Sequence, residues 1–126
     1  MKYAINGIDI PEALGPYSQG TTAGRLVFAS GQVALDPQDS SKLIGTTVAE
    51  QTSRTIDIIE TILADVGCTL SDVAQTTVYL TDIDAMSEMN EIYAQRFLQP
   101  APARAVVAVS ALPMGALVEM DCVACR

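Results

Sequence analysis

From residue 47 the apolar residues of this chain fall into a helical period, and on both sides of that stretch they alternate with a period of two. Val48, Thr52, Thr55, Ile56, Ile59, Ile62, Leu63 and Val66 recur at helical spacing, and Gly67 closes the run. Thr47-x-x-Glu50 is a capping box, in which the Thr side chain and the Glu side chain each satisfy a free backbone N–H at the helix start. Ahead of it, Arg25 to Val33 alternates, with Val27, Ala29 and Gly31 on one face and Leu26, Phe28 and Ser30 on the other. Behind it, Asp72 to Leu80 alternates, with Ala74, Thr76, Val78 and Leu80 against Val73, Gln75, Thr77 and Tyr79. Asp82 or Asp84 caps a second helix with the stripe Met86, Met89, Tyr93 and Phe97, which Pro100 and Pro102 stop. Ala103 to Val109 and Leu117 to Ala124 are two more strands, joined by a turn at Leu112-Pro-Met-Gly115. A further extended segment follows Leu14-Gly-Pro-Tyr-Ser-Gln-Gly20. The expected order is β-β-α-β-α-β-β, an α+β layer with both helices on one face of a mixed sheet. One domain spanning residues 1–126 is expected.

Composition narrows the chemistry. Seven Lys and Arg stand against fifteen Asp and Glu, a net charge of −8, and the cations (Lys2, Arg25, Lys42, Arg54, Arg96, Arg104 and Arg126) are scattered. Such a chain is a poor counter-ion for phosphate, so no nucleic-acid partner is expected. Only 17% of residues are charged, which suggests that other subunits cover part of the surface. There is no histidine, which excludes His-based triads, His-ligated zinc and imidazole switches within the chain. The odd number of cysteines, Cys68, Cys122 and Cys125, argues against a disulfide framework, and Cys122-Val-Ala-Cys125 lies in a strand, where positions three apart face opposite ways. No metal site is expected. The N-terminus carries no apolar core of signal-peptide length, and the charge-poor stretch from Phe97 to Val118 is broken by prolines and Arg104; a cytoplasmic protein without membrane contact is expected.

Two charged residues interrupt apolar surroundings. Arg104 is the single charge between Arg96 and Glu119 and opens the strand Ala105–Val109. Arginine keeps its proton, so it needs an acidic partner, solvent at an exposed strand start, or a bound anion, which it can clamp by two parallel hydrogen bonds. Glu119 breaks the alternation of Val118, Met120 and Cys122 and shares a face with Asp121. Crowded like charge raises a carboxyl pKa, suiting it to proton exchange with bound water; a solvated edge-strand face is the plainer reading. Ser30-Gly31-Gln32 interrupts an apolar strand and marks either close approach of a ligand to the backbone or a bulge. Tyr17, after Gly15-Pro16, is placed for a cavity mouth or for core packing. Asn90, beside the Met89 and Tyr93 stripe, is an orienting residue or simply the edge of the stripe.

Taken in order, Gly15-Pro-Tyr-Ser-Gln19, Ser30-Gly31-Gln32, Thr76-Thr-Val-Tyr-Leu80, Met89-Asn90-x-x-Tyr93-x-x-x-Phe97, Pro102-Ala-Arg104, Leu112-Pro-x-Gly115 and Val118-Glu119 resemble the reactive-intermediate deaminase family, RidA/YjgF. The resemblance covers roughly Gly15 to Val123. It implies a chorismate-mutase-like α+β fold and a homotrimeric barrel with clefts between subunits. It also implies hydrolysis of 2-imino acids or their enamine tautomers (2-aminoacrylate, 2-iminobutanoate, 2-iminopropanoate) to 2-keto acids and ammonia, with no cofactor. In that frame Arg104 holds the substrate carboxylate and Glu119 positions water and shuttles its proton. Gly31 and the backbone after Arg104, at Val106, supply hydrogen bonds. Tyr17 closes the cleft from a neighbouring subunit, Ser30 leaves room for ligand, and Asn90 orients.

The chain departs from the family pattern at four places. Val106 stands where many members carry Cys, Asp121 where Glu is frequent, Ala101 where an aromatic is common, and Met114 where Lys is common. The competing functions are a trimeric binder or sensor of small carboxylates without turnover, and an RNA-directed endoribonuclease, which the charge and the missing histidines oppose.

Overall fold

The computed structural model describes residues 1–126. The strands are β1 (Tyr3–Ala4), β2 (Gly20–Ala23), β3 (Leu26–Gln32), β4 (Val73–Leu80), β5 (Ala103–Ala108) and β6 (Val118–Cys125); the helices are α1 (Val48–Ala64) and α2 (Met86–Arg96). They form one six-stranded sheet in the order β1-β2-β3-β6-β4-β5. β4 and β5 pair in parallel, and the remaining pairs are antiparallel. The expected α+β mixed sheet is present, with one short strand, β1, added at its edge ahead of the anticipated order.

The topology explains why both helices share a face. β3 and β4 both run antiparallel to β6, so they point the same way, and β5 follows β4 in parallel. The connections β3-α1-β4 and β4-α2-β5 therefore step across the sheet in the same direction. Right-handed crossovers in one direction lay their helices on one side. α1 accordingly packs on β3, β6 and α2.

The capping box opens α1 as read: the Glu50 N–H donates to Thr47 Oγ1 and the Thr47 N–H to Glu50 Oε1, both at 3.1 Å. Ile56, Ile59, Ile62 and Leu63 are fully buried beneath it. Each such side chain contributes about 1.5–3 kcal/mol by leaving water. Gln51 and Ile58 are buried too, beyond the expected stripe. Gln51 is tolerated because its amide donates to the Gly45 carbonyl (3.1 Å) and accepts from the Leu117 N–H (2.9 Å). Arg96 at the end of α2 pairs with Asp57 of α1 at 2.9 Å.

Two strands correct the simple alternation. Between Ala29 and Gln32 the register against β6 shifts by one residue, since Ala29 faces Cys122 and Gln32 faces Met120. Gly31 therefore does not continue the Val27–Ala29 face; it is exposed, and Gln32 is buried in its place. A second shift, between Val73 and Gln75, buries Val73 and exposes Ala74. Each is a β-bulge, which adds a residue without adding a pairing partner. Beyond them the pattern holds: Thr76, Val78 and Leu80 of β4 and Val118, Met120, Cys122 and Ala124 of β6 face the helices.

The opposite face of the sheet carries no helix. Leu26, Phe28 and Val107 stand exposed there beside Thr77, Tyr79, Glu119, Asp121 and Val123. Cys122 is buried and Cys125 exposed, on opposite faces, and all three cysteines are free. No helix is long and apolar enough to cross a membrane.

Candidate active site

Arg104 is the second residue of β5 and lies opposite Thr76 of β4, so its side chain leaves on the helix-covered face. There α2 receives it. The guanidinium donates to Asn90 Oδ1 at 2.7 Å and lies over the Tyr93 ring, 4.7 Å from its centroid. Tyr93 is itself fixed: its hydroxyl bonds Thr76 Oγ1 at 2.7 Å, and its ring lies 4.5 Å from that of Phe97. Burial pushes the Tyr93 phenol up, with the Thr76 bond and the nearby guanidinium opposing. Arg104 makes no ion pair with any carboxylate of the chain. The cation is thus clamped from one side by an amide and from below by a ring, and it lines a cavity of about 460 Å³. Tyr93, Phe97, Leu98, Ala101 and Pro102 give that cavity its apolar walls.

Val106 packs its side chain against the core while its backbone lies at the open edge of the sheet. The Val109 N–H donates inward to the Leu80 carbonyl at 2.8 Å. Alternation then turns the N–H groups of Ala105 and Val107 inward and those of Arg104 and Val106 outward, at the unpaired edge.

Glu119 is elsewhere. It pairs with Tyr79 of β4, three residues along from Thr76 and on the other face. Arg104 and Glu119 therefore leave opposite faces of the same sheet, with β4 between them and about 10 Å of strand separating their registers. One chain does not bring them together. Around Glu119 a second cavity of about 150 Å³ is lined by Leu14, Tyr17, Gly31, Gln32, Pro113 and Met114, among others. Its carboxyl lies against Gly31, where a side chain would collide with it. Burial raises the Glu119 pKa, and the neighbouring Asp121 raises it further. Asp121 accepts a 3.0 Å hydrogen bond from the Tyr79 hydroxyl. Tyr79 is pushed up by burial first, then by that bond.

Tyr17 and Gly31 are thus gathered with Glu119, and Asn90 and Val106 with Arg104. Ser30 is a neighbour of the Glu119 cavity rather than part of its wall, because its hydroxyl donates to the Ser18 carbonyl at 2.6 Å. Tyr93 as the platform under Arg104, and Gln19 and Gln32 in the Glu119 wall, were not anticipated in these roles, whereas Met114, a departure from the family pattern expected to bear on cleft shape, does line that wall. Tyr93 had a visible signal, lying one helical turn after Asn90. Met114 adopts φ +60°, a left-handed conformation that a non-glycine side chain adopts only under constraint.

Comparison with known proteins bears on this arrangement. A family model described as Endoribonuclease L-PSP matches residues 7–126. The chain belongs to the RidA/YjgF family. Among its RidA/YjgF relatives, the human protein named 2-iminobutanoate/2-iminopropanoate deaminase is 39% identical over 124 residues, covering 98% of this chain and 90% of the relative. A RutC family protein of Pyrococcus abyssi is 40% identical over 114 residues, covering 90% and 89% of the two chains. The chorismate-mutase-like architecture is shared with solved structures. RidA from an Antarctic Psychrobacter superposes with a TM-score of 0.91 at 34% identity, covering 98% of this chain and 99% of the other. E. coli TdcF with bound serine gives 0.90 at 31% identity, covering 98% of each.

Proposed function

We propose that this protein is a hydrolytic deaminase of small 2-imino acids and their enamine tautomers, giving 2-keto acids and ammonia. The observation that carries the reading is Arg104, a cation held rigid by Asn90 and Tyr93, without a carboxylate partner, at the mouth of a cavity. A guanidinium so placed suits a substrate carboxylate, which it binds through two parallel hydrogen bonds. The outward Val106 N–H adds a donor beside it. The relatives named 2-iminobutanoate/2-iminopropanoate deaminase support the choice of substrate.

The split between Arg104 and Glu119 supports assembly from more than one copy. In this reading the chain, one domain over residues 1–126, forms a cytoplasmic homotrimer through its open sheet face. Each site takes Arg104, Asn90 and Val106 from one subunit, and Glu119, Gly31, Ser30 and Tyr17 from the next. Glu119, its pKa raised, holds a water against the imine carbon and accepts its proton as the C–O bond forms. That proton passes to nitrogen, giving a carbinolamine with one hydroxyl and one amino group; Glu119 then takes the hydroxyl proton and delivers it to the amino nitrogen as the C–N bond breaks, so the carbonyl forms and ammonia leaves. The imine is intrinsically electrophilic, so positioning supplies most of the acceleration.

The test is addition of the purified protein to a threonine dehydratase reaction. Release of 2-ketobutyrate from threonine is expected to speed up, and Arg104→Ala to abolish the effect without altering the assembly. Unchanged release with folded protein removes the enzyme reading. It would leave carboxylate binding without turnover, a reading favoured by the serine bound in the TdcF structure.

A further inference from the structure

Gln19 and Gln32 are an unusual feature beside the Glu119 cavity. Both are buried, at 7% and 2% exposure, and both line it. Gln32 Nε2 donates to Gln19 Oε1 at 2.7 Å and to the Ser30 carbonyl at 3.0 Å. The Ser30 N–H donates to the Gln19 carbonyl at 2.9 Å, and the Ser30 hydroxyl to the Ser18 carbonyl at 2.6 Å. These bonds converge on the one place where β3 slips register. Without the slip, alternation would bury Gly31 and turn Gln32 outward. A buried primary amide is stable only with its hydrogen bonds made, so the Gln19 acceptor is what keeps Gln32 inside. With Gln32 inside, Gly31 is thrown to the cavity side and into contact with Glu119.

We propose that the Gln19–Gln32 pair is a positioning device for catalysis: it locks the β3 bulge that sets the Gly31 backbone against Glu119. The carboxylate and the Gly31 backbone then address one bound molecule from fixed positions. This rests on the deaminase reading, and the two residues act on the reaction through the backbone they lock. The groups facing Glu119 are Asp121 and Tyr79 on the open sheet face, and Glu12 and Tyr17 in the cavity wall. None of them is altered by changing the pair.

The experiment is a double-mutant cycle of Gln19→Met and Gln32→Met, shape-conserving changes that remove the acceptor and the donor. Turnover of in-situ generated imine is measured alongside titration of the Glu119 carboxyl by carbon NMR. A misplacement on the ångström scale predicts a kcat loss of about 10- to 100-fold for Gln32→Met. KM is expected to change little, because the Arg104 clamp lies on the other face. The double variant should be no slower than Gln32→Met alone, since both break one unit. The Glu119 pKa should move down towards the ordinary range as water enters beside Gly31.

Multiplying losses, or a lower melting temperature with kcat and the Glu119 titration both unmoved, would overturn the proposal. If Gln32→Met does not fold, Gln19→Met carries the same test, because Gln32 keeps its bond to Ser30. A wild type without turnover would remove the deaminase reading instead. The Glu119 titration, which needs no substrate, would still decide whether the pair sets the position of the carboxyl.

Discussion

Replacing Arg104 by alanine separates the cost of folding from the cost of function. The guanidinium has two partners to lose. Its bond to Asn90 is largely exposed, so solvent screening reduces its contribution to about 0.5–1 kcal/mol. Its stacking on Tyr93 is worth about 0.5–1 kcal/mol at an exposed site. Removing both costs about 1–2 kcal/mol, a fall in Tm of about 4–8 °C for a chain of this size. The variant is therefore expected to fold. The catalytic loss is larger. Two charge-assisted hydrogen bonds to a substrate carboxylate are worth about 3–6 kcal/mol when desolvated. Taking the lower end, because the guanidinium is exposed in one chain, about 3 kcal/mol is lost, roughly a 150-fold fall in kcat/KM. Arg104→Lys restores the charge but not the planar pair of donors, and should stay at least about tenfold below wild type. The assay is keto-acid release from imine generated in situ, read beside thermal unfolding. An alanine variant within threefold of wild type, or a lysine variant equal to it, would refute the clamp. A variant that does not fold would refute the stability arithmetic.

Further outcomes follow from the same geometry. Glu119→Gln should abolish turnover while raising Tm at neutral pH. The folded-state pKa of Glu119 is raised, so the folded protein binds its proton more tightly than the unfolded chain. Stability from this group therefore falls as pH rises from the ordinary carboxylate pKa through the raised one. The Tm gain of the Gln variant should vanish below that window, and a gain independent of pH would contradict the assignment. Gly31→Ala places a methyl against the Glu119 carboxylate, the movable end of a side chain; kcat should fall more than about tenfold with Tm little changed, as measured by parallel kinetics and calorimetry. Met114→Gly relieves a left-handed backbone and should stabilise by about 0.5–1 kcal/mol in denaturant unfolding. Cys122, buried and with its thiol pushed up to about 12, should resist alkylation that consumes the exposed Cys125.

How much of this was legible beforehand varied with the range of the interaction. α1 was legible because its signals are local: the Thr47 and Glu50 exchange is closed within four residues, and its apolar stripe follows from helical geometry. The stripe Met86, Met89, Tyr93 and Phe97 was read correctly for the same reason, and Asn90 proved to touch Arg104. The bulges were not legible. Gly31 and Ala74 were assigned faces by counting in twos, and one inserted residue reverses every face after it. Whether a Gln is buried depends on its partner: Gln32 finds Gln19 thirteen residues away, and Gln51 finds Leu117 sixty-six away.

The sequence by itself determined both helices and every strand but the short β1, the absence of histidine, and the two charged residues that interrupt apolar strands. Those are properties of single residues and of periods within a few turns of chain. Only the tertiary structure decided that Arg104 and Glu119 leave opposite faces. That follows from the last strand, β6, inserting between β3 and β4 and setting Glu119 opposite Tyr79, while β5 sets Arg104 opposite Thr76. Strand order and register are fixed by backbone hydrogen bonds, which every residue offers alike. A pattern of side chains therefore names the strands without saying which ones are neighbours.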